Sequence, residues 1–177
     1  MKKVELVVRE FQTLIDKMPG LSKVKFIIDD NSGSLYFNHH TFNIGVSDLF
    51  MRSNSFMKAC NDAYYTMNKK IGKGTHKLHT MTYGILHEMG HAMSYSMIDE
   101  DLHWDLFNEY CEERDYHAPE TSRYNKVYKA MINYYTIITE LDANIYANLL
   151  YIAYKGDIER IDRIVRKLYP KRLTLAR

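Results

Sequence analysis

Residues 87–91 read His-Glu-Met-Gly-His, and this short run restricts the architecture of the chain more than any other segment. On an α-helix, His87 and His91 lie one turn apart on the same face, so both imidazole rings can bind one metal ion. Glu88 then follows the first ligand, where its carboxylate can reach a water molecule at the metal and act as a general base. The HExxH pattern therefore predicts a helix that carries a metal site.

The residues around the pentapeptide indicate that this helix is buried. Segments 81–86 and 92–93 carry no charge. Apolar residues recur at helical spacing and predict the buried face: Met81, Ile85, Met89 and Ala92. We expect the helix to begin at a Thr75 cap and to end near Ile98. Gly84 lies inside it at some cost in helix stability, so we expect another backbone to approach closely there.

The length and composition favour one soluble domain. A chain of 177 residues can enclose a sizeable core, so we treat residues 1–177 as a single domain. Cys60 and Cys111 are the two cysteines and form no CxxC pair, which argues against a disulfide framework or a thiolate zinc site. The formal net charge of +2 does not indicate a nucleic-acid partner. Basic residues near the C-terminus are typical of a solvated helix face: Arg160, Arg163, Arg166, Lys167, Lys171, Arg172 and Arg177.

The N-terminal region does not resemble a signal peptide. Glu5, Arg9 and Glu10 interrupt any apolar core that such a peptide would need. No apolar run in the sequence approaches the length of a membrane span. We therefore expect a cytoplasmic protein without a membrane partner, and the sequence leaves its oligomeric state open.

Periodicity predicts an α+β fold in which a small antiparallel sheet precedes a mainly helical half. A helix is expected from Val4 to Met18, followed by strands within 24–28, 35–37 and 41–46 that form a meander. We expect 41–47 to be the edge strand, to which an extended substrate peptide could add. Further helices are predicted by the spacing of apolar residues, over about 56–71, 104–116, 119–135, 139–154 and 157–169.

A zinc site needs a third protein ligand and a position open to water. The extended HExxHxxGxxH pattern is absent, because Ser94 and Met97 occupy the corresponding positions. Glu140 is our candidate, since it shares a helical face with Asn144, which can hydrogen-bond a ligand histidine, and with two small residues that permit close helix packing, Ala143 and Ala147. The opposite face of this helix is expected in the core: Leu141, Ile145 and Leu149. Other acidic or histidine ligands stay open: Asp99, Glu100, His103, Glu109, Glu112, Glu113, His117 and Glu120.

Together, HEMGH and the later run Glu140-x-x-Ala143-Asn144-x-x-Ala147 with Leu149-Leu150 resemble the two motifs of ImmA/IrrE zinc peptidases. The resemblance covers the motifs and the order of elements, about half of the chain. It implies a divergent member with a zincin fold of the gluzincin type. It also implies that a phage or another mobile element encodes the protein. By residue, it implies that His87, His91 and Glu140 bind Zn²⁺ and that Glu88 is the general base.

The expected activity is hydrolysis of peptide bonds in a specific protein substrate through a metal-activated water. The alternative is a non-catalytic, zinc-binding regulatory or interaction protein with the same fold, and a nucleic-acid-binding factor is the least favoured hypothesis. Several side chains are candidates for stabilising the oxyanion: His103, Tyr116, His117, Tyr134 and Tyr135. The pairs His39–His40 and His76–His79 could form another metal site, although separate surface histidines explain them more simply, and His79 could line the cleft.

Overall fold

The computed structural model describes residues 2–51, 75–97, 123–134 and 136–170, with separate positions between 59 and 70 and between 105 and 112. The fold is mixed α+β and mostly helical, with a small sheet, as predicted. The helices are α1 (Lys3–Ile15), α2 (Thr80–Tyr95), α3 (Tyr124–Tyr134), α4 (Ile138–Ala153) and α5 (Lys155–Leu168). The strands are β1 (Lys25–Ile28), β2 (Tyr36–Asn38) and β3 (Asn43–Val46).

Helix α1 packs its predicted apolar stripe against the sheet and α5. Val4, Val7, Phe11 and Leu14 are buried, which confirms the periodicity of this segment. The helix ends at Ile15, three residues before the predicted end at Met18, and a short 3₁₀ turn follows over Pro19–Leu21. Proline lacks a backbone N–H and restricts the residue before it, so the chain leaves the α-helix ahead of Pro19.

The sheet is a mixed sheet, so the predicted antiparallel meander is wrong. The strand order is β1-β3-β2; β3 pairs with β1 in parallel and with β2 antiparallel. Because β3 is the central strand, segment 41–47 is not an edge, and the edges are β1 and β2. The physical reason is burial: Ile44 and Val46 are fully enclosed, whereas Ile27 and Ile28 of β1 are partly exposed. Alternation of apolar residues identifies strands but not their pairing order.

The two sheet edges have different surroundings. On β1, the Phe26 backbone N–H donates to the side-chain oxygen of Gln12 on α1 at 3.1 Å, so α1 occupies that edge. On β2, the Phe37 backbone N–H faces Glu88 of α2. The edge next to the HExxH helix is therefore β2.

Helix α2 has the burial expected of a helix that crosses the core. Met81, Ile85, Met89 and Ala92 are all fully or almost fully buried, as predicted. The helix begins at Thr80 and ends at Tyr95; Thr75 belongs to a separate 3₁₀ turn, Thr75–Lys77. The predicted Thr75 cap is therefore wrong for α2.

The start of α2 is held by His79 and by α5. The Nδ1 atom of His79 accepts the Met81 N–H at 3.2 Å and caps the helix. Asp162 of α5 accepts the His79 backbone N–H at 2.7 Å and also binds Arg166 at 2.6 Å. His79 thus has a structural role at the helix start, and we do not assign it to a cleft.

Helix α4 packs closely along α2, and their backbones approach each other at Gly90. A Cβ atom added at Gly90 would lie 2.1 Å from the backbone oxygen of Ala143. At Gly84, where we expected a neighbouring backbone, the added Cβ would instead meet the Leu35 side chain at 2.4 Å. The close backbone approach therefore occurs at Gly90, between the two histidines.

The face of α4 that meets α2 is made of small residues. Ala143 and Ala147 are fully buried, as expected. Ile145 and Leu149 are 48% and 53% exposed, however, so the prediction that they face the core is wrong. The alanine face packs on α2 because it permits the shorter interhelical distance, which leaves the larger residues outside.

Among the described residues, no helix is both long and apolar enough to span a bilayer.

Candidate metal centre

Three residues from two helices meet between α2 and α4. His87 and His91 lie one turn apart on α2, and Glu140 lies in the first turn of α4. The Nε2 atom of His87 is 3.1 Å from the Nε2 atom of His91 and 3.0 Å from Oε2 of Glu140. The Nε2 atom of His91 is 3.3 Å from Oε1 of Glu140. The three residues predicted as metal ligands therefore come together and could hold a metal ion.

The size of this triangle matches a metal site. In a tetrahedral zinc site with bonds of about 2.0–2.1 Å, two ligand atoms lie about 3.3 Å apart. The three separations of 3.0, 3.1 and 3.3 Å are close to that length. Two imidazole nitrogens and a carboxylate oxygen are also a donor set found in catalytic zinc sites, with a further position left for water. The donor types fit zinc, and the spacing is compatible with a metal ion, with His87 nearer Oε2 and His91 nearer Oε1 of Glu140.

The electrostatics of the triangle require a positive charge. The Glu140 side chain is 3% exposed, and burial raises its pKa, yet the charge and hydrogen bonds of His91 and His87 hold that pKa well below its usual range. Burial lowers the pKa of His91, but Glu140 and Glu88 outweigh it and raise that pKa to about 9. Without a metal, a proton on His91 supplies the charge. A divalent cation would replace that proton and bind all three residues.

His87 is oriented by Asn144, which lies one turn after Glu140 on α4. The amide nitrogen of Asn144 donates to the Glu140 backbone carbonyl at 2.8 Å, so its Oδ1 points to His87 Nδ1 at 3.2 Å. Because an amide oxygen only accepts hydrogen bonds, Nδ1 must carry the proton. The other ring nitrogen of His87, Nε2, faces Glu140 Oε2 at 3.0 Å, and a metal ion would take the place of a proton between them.

Glu88 lies beside the triangle, between α2 and β2. Burial raises the pKa of its carboxyl group; His87, His91 and the Phe37 backbone N–H oppose that shift, and Glu140 adds to it. A raised pKa makes the carboxylate a stronger base, which suits a group that accepts a proton and then returns it. The side chain of His91 is 16% exposed and that of His87 only 4%, so solvent reaches the site from the His91 side.

Most other predicted site residues are not placed at this centre. Tyr134 is half-buried and packs against the core, and Glu109 and Glu112 are exposed helical positions. The rings of His39 and His40 lie 3.8 Å apart beside Tyr95, without a third ligand that would make a described metal group. The side chain of His76 is not described. The remaining candidates lie outside the described residues: Asp99, Glu100, His103, Glu113, Tyr116, His117, Glu120 and Tyr135.

Sequence reasoning missed two residues next to the ligands. Gly90 permits the close approach of α4, and Tyr83, one turn before His87, donates its hydroxyl to Asn144 Oδ1 at 2.7 Å. The glycine between the two histidines could have predicted a close helix contact, because a glycine inside a helix usually has a packing reason. A tyrosine four residues before His87 was also visible, since positions i and i+4 share a helix face.

Comparison with known proteins does not add to this description: no protein-family model, curated protein sequence or solved structure matches the chain. The chemical argument for function therefore comes from the geometry of the site.

Proposed function

We propose that this protein is a zinc-dependent peptidase with a zincin-like fold that cleaves a specific protein substrate. One observation carries the proposal: two helical histidines and a buried carboxylate from a second helix form a triangle with the dimensions of a zinc site. The HExxH order supports hydrolysis in particular, because it adds an uncoordinated glutamate, Glu88, directly beside the ligands.

In this proposal His87, His91 and Glu140 hold the metal, and Asn144 keeps His87 in the form that can bind it. A zinc ion held there would supply a Lewis acid able to acidify a water molecule and polarise a carbonyl group. Glu88 would be the general base that takes a proton from the attacking water, and it would return that proton to the leaving amine.

The outer edge of β2, which does not pair with another strand among the described residues, is the proposed binding place for the substrate. It lies next to Glu88, and the Phe37 backbone N–H on this edge faces the reaction centre. A substrate peptide in extended conformation can add to such an edge as a further strand, with main-chain hydrogen bonds that hold the scissile bond near Glu88. This edge replaces segment 41–47, which lies in the centre of the sheet.

The test combines metal analysis with one conservative substitution. We expect the purified protein to contain about one zinc per chain and to cleave members of a proteome-derived peptide library. Glu88→Gln should retain the zinc and lose activity by about 100-fold or more, because general-base catalysis contributes at least that factor. The matched control is Glu159→Gln on α5, where the carboxylate binds Tyr151, away from the metal ligands.

Three outcomes would count against the proposal. A protein with intact His87 and His91 that binds no zinc would overturn the metal site. Cleavage by Glu88→Gln at the wild-type rate would overturn the mechanism. Zinc binding without any cleavage by the wild type across the library would instead favour a non-catalytic metal protein.

A further inference from the structure

A line of buried polar side chains extends from the metal site along α4. The Tyr83 hydroxyl donates to Asn144 Oδ1 at 2.7 Å. Asn148, one turn after Asn144, donates to the Asn144 backbone carbonyl at 2.7 Å, and Thr75 donates to Asn148 Oδ1 at 2.6 Å. Tyr83 is 1% exposed, and Thr75 and Asn144 are also buried. These hydrogen bonds connect the turn before α2 to the amide that orients His87.

Packing alone does not explain the hydroxyl of Tyr83. A phenylalanine would fill the same space and would not require a hydrogen-bond partner in the core. A buried hydroxyl is favourable only where it is hydrogen-bonded. Here the partner is the same Asn144 oxygen that accepts from His87, so the hydroxyl acts directly on the group that selects the form of the histidine ring.

The chemistry of Asn144 sets the direction of the Tyr83 hydrogen bond. An amide oxygen only accepts hydrogen bonds, so the phenolic hydrogen of Tyr83 points at Asn144 Oδ1. The hydroxyl hydrogen of Thr75 is committed in turn to Asn148 Oδ1.

We propose that Tyr83 is a positioning residue that holds the Asn144 amide with its oxygen toward His87 and so keeps the proton of His87 on Nδ1. If the amide turned over, its NH₂ group would face both the Tyr83 hydrogen and His87 Nδ1. The first contact would place two donors together, and the second would favour the ring form with its proton on Nε2. That form cannot bind a metal through Nε2. The inference rests on the proposed function, because Nε2 is the proposed ligand atom.

The test is Tyr83→Phe, with Tyr151→Phe as the matched control. Tyr151 is on the same helix as Glu140, and its hydroxyl binds Glu159 on α5 at 3.0 Å. Zinc affinity would be measured by competition with a chromophoric chelator. We expect Tyr83→Phe to weaken zinc binding about 10-fold, the lower end of the effect of losing a group that orients a ligand, and Tyr151→Phe to leave it unchanged. Thr75→Val should produce a smaller loss in the same direction.

A second measurement reads the histidine directly and needs no metal. Long-range ¹H–¹⁵N spectra report which ring nitrogen of His87 carries the proton. We expect Nδ1 of His87 to carry a proton in the wild type and in Tyr151→Phe, and to lose it in part of the molecules in Tyr83→Phe. Equal spectra and equal zinc affinities for the two variants would overturn the role of Tyr83. A wild type with the expected spectrum and no zinc affinity would overturn the proposed function but not this inference.

Discussion

Substitution of Gly90 by alanine should damage the metal site through the backbone of α4. The added Cβ would lie 2.1 Å from the carbonyl oxygen of Ala143, 2.8 Å from its carbonyl carbon and 3.0 Å from its Cα. All three are backbone atoms, so no side chain can rotate away. To restore ordinary contact at about 3.4 Å, α2 and α4 must separate by about 1.3 Å at this point.

This separation would act on Glu140, which lies one turn before Ala143 on α4. If α4 shifts as a rigid helix, the 3.0 Å separation between His87 Nε2 and Glu140 Oε2 opens to about 4 Å, which is too long for two ligands of one zinc ion. We expect zinc affinity to fall by more than the roughly 100-fold that loss of a ligand-orienting group produces. Overpacking of the interface should also lower the free energy of unfolding by about 1–3 kcal/mol.

Gly84→Ala is the matched control on the same helix. Its added Cβ would meet the end of the Leu35 side chain at 2.4 Å, which can move, and the Phe50 ring at an ordinary 3.7 Å. Alanine also favours the helix by up to about 1 kcal/mol over glycine. Gly84→Ala should therefore bind zinc like the wild type and change the free energy of unfolding by less than about 1 kcal/mol.

The assay is urea unfolding of both variants in the presence of a chelator, followed by chelator competition for zinc. The reasoning predicts a large difference in zinc affinity between two glycine-to-alanine changes six residues apart. Wild-type zinc affinity in Gly90→Ala would refute the argument that this backbone contact sets the position of Glu140. Equal loss in both variants would refute the distinction between backbone and side-chain neighbours.

Two further predictions concern charge and exposure. The pKa of His91, raised from 6.5 to about 9 in the metal-free protein, makes a stabilising contribution that is complete below pH 6.5 and is lost as the pH rises through 9, about 3 kcal/mol in all. Urea unfolding with chelator at pH 6.5 and 9.5 measures it, and a constant or rising stability would contradict the His91–Glu140 pairing. Ile152 is 71% exposed on α4, so Ile152→Ser should change the free energy of unfolding by less than about 0.5 kcal/mol; a loss of several kcal/mol would show that this face is covered.

Local patterns in the sequence predicted α1, α2, α4 and α5 and the three residues that meet where a metal ion could bind. The spacing of His87 and His91 is a property of one helical turn, and the pairing of Glu140 with Asn144 is a property of another. Small residues on the same face indicated that the second helix packs closely on the first. These features depend on neighbours within four residues, which is why α2, α4 and their site could be predicted from the sequence.

The arrangement of the sheet could not be predicted in the same way. Strand periodicity located β1, β2 and β3 but gave no information on which strand lies in the centre. The outer face of α4 was misjudged for a related reason. Ile145 and Leu149 are more apolar than Ala143 and Ala147, yet the alanine face is buried because it permits the approach that Gly90 requires. Interhelical distance is a tertiary property, and hydrophobicity alone does not reveal it.

Glu140 is hard to explain as a structural residue. It lies at the contact between α2 and α4, where an apolar side chain would avoid the desolvation of a buried carboxylate. Nitrogen atoms of His87 and His91 lie close to its carboxylate oxygens. In the metal-free protein a proton on His91 balances the Glu140 charge, but both groups still lose their hydration at a close helix contact. A fold that buries such groups gives up stability for another purpose. A bound cation would replace the proton and contact all three residues, so occupancy by zinc should stabilise the α2–α4 contact itself.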